Sequence, residues 1–178
     1  MSCTLSKGRI EPCKDKVGGL YKLWFANFGT LTGLTYSGTD DSVSGTTDAS
    51  VYEYELKGTN SFTQSMTSSR ENGTTFVTQT LTISLKGLDA ATNNELKLLA
   101  YGRPHCFIQD NNGNTWLAGK ENGLELTTGD SNTGIAMGDA YAYTLTLVAN
   151  EREYANFITG STKAAPLSDL GANIVKGS

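Results

Sequence analysis

Few side chains in this chain have the types and spacing that catalysis requires. The one histidine, His105, stands beside Cys106 in a predicted strand, so the two side chains would point to opposite faces. A hydrolytic triad needs a nucleophile, a base and an orienting group, yet no Gly-x-Ser-x-Gly elbow is present. No Gly-Lys-Ser or Gly-Lys-Thr of a nucleotide-binding loop occurs either. We therefore interpret His105 as structural and predict a protein that is not an enzyme, with no catalytic residues. An active site assembled between subunits is the one enzymatic alternative left open.

Metal binding is the next chemistry to consider. The run Asp110-Asn111-Asn112-Gly113-Asn114 has side chains that suit calcium, but its glycine is at the fourth position and not at the sixth. No helices are predicted on either side, so a hairpin turn is the better interpretation. Two pairs of carboxylates share strand faces, and without a cleft we interpret them as solvent-exposed edges: Glu53 with Glu55, and Glu151 with Glu153. The sequence predicts no metal and no cofactor.

Composition limits the partners and the compartment. The 178 residues carry a net charge of -4 and are sufficient for one domain with a hydrophobic core. Because lysine and arginine contacts with phosphate supply most nucleic-acid affinity, this acidic chain is not expected to bind DNA tightly. No apolar run approaches the ~20 residues of a membrane span, and residues 1–9 lack the apolar core of a signal peptide. We expect a chain that is made in the cytosol and that has no membrane as a partner. The cysteines, predicted to be free thiols, are Cys3, Cys13 and Cys106.

The most unusual pattern is a pair of stretches in which every second residue carries a hydroxyl group. A turn containing Asn72 and Gly73 separates them, which predicts one long hairpin. On the return strand the alternate residues include Val77, Leu81 and Ile83, so one face seeks a core while the other is wet and uncharged. A solvent-exposed sheet is the simplest interpretation, and a surface along which a polymer slides is the alternative. The hydroxyl residues are Ser61, Thr63, Ser65, Thr67 and Ser69, then Thr78, Thr80, Thr82 and Ser84.

The remaining elements indicate a mainly β protein. Alternating apolar residues predict strands at 20–28, 51–56, 103–109, 115–118, 124–128 and 140–149. One short helix is predicted to start after Asp89 and to stop at Gly102 and Pro104. Residues 37–50 are interpreted either as a flexible polar loop or as a segment that becomes ordered only against a partner. A helical turn is predicted around Tyr154 and Phe157. We predict one domain, 1–178, an antiparallel β-sandwich or barrel with a long hairpin and one short flanking α-helix. It has an N-terminal arm, 1–19, and a C-terminal tail, 159–178, that packs on its own sheet or on a neighbouring subunit.

This order of elements resembles the tail-tube fold of tailed bacteriophages. Three stretches are similar to virion structural proteins of phages that infect gut Bacteroidetes, including the ring proteins of crAss-like phages. They are Asp110-Asn111-Asn112-Gly113-Asn114, Gly119-Lys120-Glu121-Asn122-Gly123-Leu124, and Thr133-Gly134 through Gly138-Asp139-Ala140-Tyr141. The resemblance covers residues 20–154.

The resemblance implies a virion structural protein that forms a closed ring, a hexamer or dodecamer, in the tail tube or neck. The hairpin of each copy would join its neighbours, and DNA would pass through the lumen without specific binding. The implied lumen-facing residues are Ser61, Thr63, Ser65, Thr67, Thr78, Thr80, Thr82 and Ser84. Contacts between subunits are assigned to Asp40, Asp41, Arg70 and Glu71. Other tail, neck or portal proteins would be partners, and the chain would reach the virion from the host cytoplasm during assembly.

An outer virion component is the alternative function. A decoration or fibre-attachment protein could use the same sandwich to bind a capsid or a host glycan. Exposed aromatic side chains would then contact sugar, although alternating aromatic residues more often belong to a core. The candidates are Tyr52, Tyr54, Tyr141 and Tyr143.

Overall fold

The structure, a computed structural model, describes residues 7–38 and 40–177. Strands account for 46% and helices for 9%, and the curled sheets form a half-barrel. This confirms the predicted mainly β sandwich or barrel with one α-helix. No helix in these described ranges is long and apolar enough to cross a membrane. The elements are β1 (Leu20–Ala26), β2 (Leu34–Ser37), β3 (Ser42–Gly45), β4 (Ser50–Glu55), β5 (Ser61–Ser69), β6 (Thr74–Lys86), α1 (Ala90–Tyr101), β7 (His105–Asp110), β8 (Thr115–Ala118), β9 (Glu125–Asn132), β10 (Ala142–Glu151), β11 (Asn156–Ile158) and β12 (Asn173–Lys176).

The strands form two sheets. The larger has the order β12-β4-β1-β7-β8-β11-β3-β2, and the smaller has the order β5-β6-β10-β9. Every pairing in the smaller sheet is antiparallel. In the larger sheet, β11 with β3 and β12 with β4 are parallel, and the other pairings are antiparallel. The predicted long hairpin is β5 with β6, at one side of the smaller sheet.

The first hydrophobic core lies between the two sheets. Strands β6 and β10 supply its residues from one side, and β1 and β7 supply them from the other. Leu96 of α1 contributes from the helix. The residues are Leu81, Ile83, Leu145 and Leu147 from the smaller sheet, and Leu23, Phe25, Cys106 and Ile108 from the larger.

A second core fills the other face of the larger sheet. Leu167 and Leu170 of the C-terminal segment pack there against Trp24, Val51 and Phe107. Strand β1 is therefore covered on both faces, which explains why the sequence of residues 20–28 is apolar in both alternating sets.

Helix α1 begins and ends where the sequence predicts. The Asp89 carboxylate accepts hydrogen bonds from the Thr92 backbone nitrogen at 2.7 Å and from the Thr92 hydroxyl at 2.6 Å. These bonds lower the pKa of Asp89, since they favour its ionised form. At the other end, the Gly102 nitrogen donates to the Leu98 carbonyl at 3.1 Å.

The polar stretch 37–50 is not only a loop, because it contains β3. This strand has four residues, of which only Val43 is buried. It pairs with β2 on one side and with β11 on the other. So short a strand shows no hydrophobic periodicity, and its structure is decided by its two neighbours.

The helical turn predicted around Tyr154 and Phe157 is also wrong. Residues 156–158 form β11, in which buried Asn156 and Ile158 alternate with exposed Phe157. The C-terminal tail follows the first of its two alternatives, since β12 pairs with β4 and Leu167 and Leu170 are buried in the second core.

Gln79 is a buried polar residue that ties the smaller sheet to the larger. It is 1% exposed, although it points from β6 into the core. Its Oε1 accepts a hydrogen bond from the Gly119 nitrogen at 3.0 Å, and its Nε2 donates to the Glu153 carbonyl at 3.4 Å.

We expect Gln79→Leu to destabilise the fold by about 1–3 kcal/mol, because it leaves the buried Gly119 N–H unpaired while preserving the side-chain volume. Urea unfolding measures the loss. Leu81→Met, a volume-conserving change in the same strand, is the control and is expected to cost less than about 1.5 kcal/mol. An equal loss of stability in the two variants would contradict the role of Gln79 in joining the two sheets.

Candidate assembly surface

The hydroxyl side chains predicted from sequence form one continuous surface, here called the hydroxyl face. The strand registers place Ser61 opposite Thr82, Thr82 opposite Thr146, and Thr146 opposite Thr128. The face therefore runs across all four strands of the smaller sheet, beyond the hairpin that the sequence pattern indicated. The predicted residues all lie on it: Ser61, Thr63, Ser65, Thr67, Thr78, Thr80, Thr82 and Ser84. Strands β9 and β10 add Thr128, Thr144 and Thr146.

The opposite face of the same sheet is the core face. Val77, Leu81 and Ile83 are fully buried, whereas Thr80 and Thr82 are partly exposed. The hydroxyl face is thus the side that points away from the larger sheet. Its central strands carry no charged side chain between residues 77 and 85, and Thr78 donates a hydrogen bond to Asn150 at 3.0 Å.

Charged side chains occur only at the margins of the hydroxyl face. Glu125 and Asp130 lie on β9, and Lys86 lies at the end of β6. The hydroxyl groups at the centre of the face can bind water, but they cannot form ion pairs with phosphate.

Both outer edges of the smaller sheet are unpaired. In the described part of the chain, β5 pairs only with β6, and β9 pairs only with β10. A bulge at Thr127 interrupts β9, so its regular run is residues 128–132. Unpaired strand edges present rows of free N–H and C=O groups and readily accept another strand.

The hairpin extends beyond the sheet at one end. Strand β10 pairs with β6 only from Val77 onward, so residues 67–69 and 74–76 project without a third strand. Phe76 and Met66 are exposed near this end. Arg70 and Glu71 lie in the turn at its tip, and neither forms an ion pair with another described residue.

The other two predicted contact residues lie elsewhere. Asp40 and Asp41 are exposed in the connection between β2 and β3, where the Asp41 carbonyl accepts a hydrogen bond from the Phe157 nitrogen at 2.8 Å. Asp41 lines a groove together with Ser61, beside the start of β5. Arg70 and Glu71 follow the end of β5. The four residues therefore belong to two separate regions. A contact between copies that used all four residues would involve both regions.

His105 has a structural environment, as the sequence suggested. It is 5% exposed, and its Nδ1 lies 2.6 Å from the Gly119 carbonyl while its Nε2 accepts from the Gly29 nitrogen at 3.1 Å. Nδ1 must therefore hold the proton in this arrangement. Phe28 stacks on the ring at 5.0 Å. Both ring nitrogens are used by the backbone, so the ring has none left for a substrate.

The 110–114 turn uses its own side chains to satisfy its carboxylate. Asp110 Oδ1 accepts from the nitrogens of Asn112 and Asn114, and Oδ2 accepts from their side-chain amides, at 2.8–3.1 Å. Gly113 has φ 91°, as a tight turn requires. The residues described contain no cluster of three potential metal-binding side chains. The hairpin turn predicted here is present.

The carboxylate pairs are not simple exposed edges. The Glu53 side chain is 10% exposed, and it accepts from Lys22 and from the Trp24 indole nitrogen at 3.0 Å each. Burial alone would raise the pKa of Glu53, but these two hydrogen bonds, together with the positive charges of Lys22 and Lys176, outweigh burial and lower the pKa. Glu151 is 4% exposed and binds the backbone nitrogens of Glu121 and Asn122. Neither pair faces a shared cleft.

The four tyrosines considered for sugar binding do not form one platform. Tyr143 is buried and its hydroxyl donates to the Asp89 carbonyl at 3.2 Å, while Tyr54 packs against the first core. Tyr52 and Tyr141 are exposed, but Tyr52 lies in β4 of the larger sheet and Tyr141 lies in the loop before β10 of the smaller sheet.

No protein-family model matches this chain, and no curated protein or solved structure matches it. The resemblance to phage tail-tube and ring proteins stays a prediction. The candidate surface is therefore defined by its own geometry.

Glu151 generates a prediction about pH. Burial raises the pKa of Glu151 above 4.5, even though two backbone N–H groups favour the ionised form. A carboxyl whose pKa is raised by folding contributes stability below its unfolded pKa, and this contribution is lost as pH rises through the folded value. We expect the stability of the native protein relative to Glu151→Gln to be greater at pH 4.5 than at pH 7.5. Urea unfolding at both pH values tests this, and a relative stability that rises with pH would contradict it.

Proposed function

We propose that the protein is a non-enzymatic phage virion protein that assembles into a closed ring of the tail tube or neck, around a passage for DNA. The observation that carries the proposal is the smaller sheet, whose two edges are unpaired among the described residues and whose outward face is covered with hydroxyl groups. The order of elements over residues 20–154, which resembles that of phage tail-tube and ring proteins, also supports the proposal.

Strand direction allows the sheets of neighbouring copies to join. Four antiparallel strands alternate in direction, so the edge strands β5 and β9 run in opposite directions. A rotation about an axis along the strands preserves these directions. It places β9 of one copy antiparallel to β5 of the next, and repetition closes a continuous antiparallel barrel. With an odd number of strands the same rotation would require a parallel join.

The size of the layer on each side of the smaller sheet determines which face would line such a barrel. Rotation keeps the hydroxyl face of every copy on one side, and the larger sheet with both cores lies on the other. The larger layer fits at the larger radius, so the hydroxyl face lines the lumen. Lysine or arginine contacts would attract phosphate and slow the passage of DNA. Residues 77–85 of β6 and all of β10 have neither, and Lys86 lies only at the margin of the face.

Contacts along the tube axis are assigned to the hairpin tip. Arg70 and Glu71 extend beyond the sheet together with exposed Phe76 and Met66. A projecting pair of strands with both charged and apolar side chains can reach an adjacent ring, or another tail, neck or portal protein. The ring itself is expected to be a hexamer or dodecamer, as the resemblance implies.

The first test is electron microscopy of the purified protein across a range of concentrations and salt. We expect rings or stacked tubes with an open centre, because joining the edges satisfies the free backbone groups of β5 and β9. A protein that stays monomeric and binds glycans on an array would contradict the ring and would favour the outer virion component.

The double variant Thr80→Lys/Thr82→Lys tests the lumen assignment. Both side chains point outward from the sheet centre, so we expect the variant to fold and form rings. Its rings are expected to retain double-stranded DNA in low salt and to release it as salt rises, whereas native rings do not retain it. Binding is measured by gel shift with assembled rings.

Two controls make that result specific. Thr80→Glu/Thr82→Glu places the opposite charge at the same sites and is expected not to retain DNA. Thr35→Lys/Ser44→Lys adds the same charge to an exposed cross-strand pair of the larger sheet. Equal retention by rings of this control and of the lumen variant would contradict the lumen assignment.

A further inference from the structure

We propose that neighbouring copies are held together, beside the strand pairing, by a knob-and-groove contact: Ile135 and Met137 of one copy insert into an aromatic groove at the β5 edge of the next. This contact rests on the ring proposed above and names the side chains that fix each copy against its neighbour.

The knob is the loop between β9 and β10, residues 133–141. Ile135 and Met137 are fully exposed on it, with no side chain of the described chain covering them. Exposed apolar residues are common singly, but here two project from one short loop.

The backbone of this loop is fixed by its own hydrogen bonds. The Asp139 carboxylate accepts from the nitrogens of Ile135 and Ala136 at 2.8 Å each, and the Asn132 side chain accepts from the Gly134 nitrogen at 2.9 Å. These bonds lower the pKa of Asp139. Gly134 has φ 74°, and a Cβ there would lie 2.7 Å from the Asp139 Cβ. The loop thus presents its two apolar side chains in a set conformation, so little further ordering is needed when it binds.

The groove opens between the two sheets at the β5 edge, with a volume of about 630 Å³. Phe62, Trp116 and Phe157 form its apolar part, with ring centroids 6.4 Å and 5.4 Å apart along this row. Phe157 and Tyr154 remain exposed. No lysine or arginine lines the groove among the described residues, and the Asp110 carboxylate in its wall is occupied by the turn that it closes. The apolar row is therefore suited to uncharged aliphatic side chains.

The knob and the groove lie at opposite edges of the smaller sheet. The knob follows β9, and the groove is lined by the first residues of β5, including Ser61 and Gln64. The registers place Asn132 and Lys86 at the end of the sheet where β5 begins. When β9 of one copy pairs antiparallel with β5 of the next, the knob of the first reaches the same end as the groove of the second. Such a head-to-tail contact repeats around a ring, which is why the occupant is a second copy.

The double variant Ile135→Ser/Met137→Ser tests the contact without touching the core. Because burying each apolar side chain contributes substantially, we expect the concentration for half-maximal ring formation to rise about tenfold or more. Sedimentation velocity and electron microscopy measure it. Phe157→Ser, which changes the groove, is also expected to raise the concentration for half-maximal ring formation. Tyr101→Ser removes a similarly exposed side chain at the end of α1 and is the control.

A photo-cross-linking residue at position 137 locates the contact directly. We expect it to link to peptides that contain Phe62, Trp116 or Phe157 of another copy. Fluorescence gives a second signal, since Trp24 is 1% exposed and an emission change on assembly reports Trp116.

The outcomes separate this contact from the ring itself. Native rings that are lost in the knob variant, with cross-links in the groove, support both proposals. Native rings that form equally well without the knob, or cross-links outside the groove, overturn the contact and leave the ring. A native protein that never assembles overturns both.

Discussion

Burial of one face of β6 is the constraint on which the rest of the structure depends. Val77, Leu81 and Ile83 are fully buried against the larger sheet, and a strand has only two faces. The alternate set, Thr78, Thr80, Thr82 and Ser84, must therefore point away from the core. The registers carry this division across β5, β10 and β9, so one side of the smaller sheet is dry and the other is covered with hydroxyl groups. A one-residue slip would exchange the two faces and expose the core residues, which makes the register costly to change.

The smaller sheet, with one dry face and one hydroxyl face, can join other copies through its edges. A sheet with only four strands leaves two unpaired edges, and an isolated small protein must protect or pair them. Here β9 has a bulge at Thr127, but in the described part of the chain residues 128–132 and the whole of β5 keep a regular register with one neighbouring strand only. Several buried polar groups elsewhere are paired: Gln79 and His105 both hydrogen-bond the Gly119 backbone, and the Asp110 carboxylate accepts hydrogen bonds within its own turn. The proposed assembly uses the sheet edges that are unpaired among the described residues, together with the exposed side chains of Ile135 and Met137.

Sequence patterns were sufficient for the long elements and insufficient for the short ones. The hairpin, the Asp89 cap of α1 and strand β10 each have several residues of consistent periodicity or a specific capping residue, and each was predictable. Strands β3 and β11 have four and three residues, so their conformation depends on neighbours that are distant in sequence. For the candidate surface, the alternation of Thr144 and Thr146 in β10 held the signal that the hydroxyl face continues. Nothing in the sequence identifies β10 as the neighbour of β6, and the groove joins β5, β8 and β11, whose proximity only the fold reveals.

Amide hydrogen exchange shows whether β5 and β9 pair between copies. Exchange is compared between monomer and assembled protein, with mass analysis of peptides that cover each strand. The account predicts new protection in β5 and in residues 128–132 on assembly, because edge amides gain backbone partners. It predicts no comparable change in β1 or β7, which are paired on both sides already. Assembly without new protection at either edge would contradict the account, even if the particles were ring-shaped.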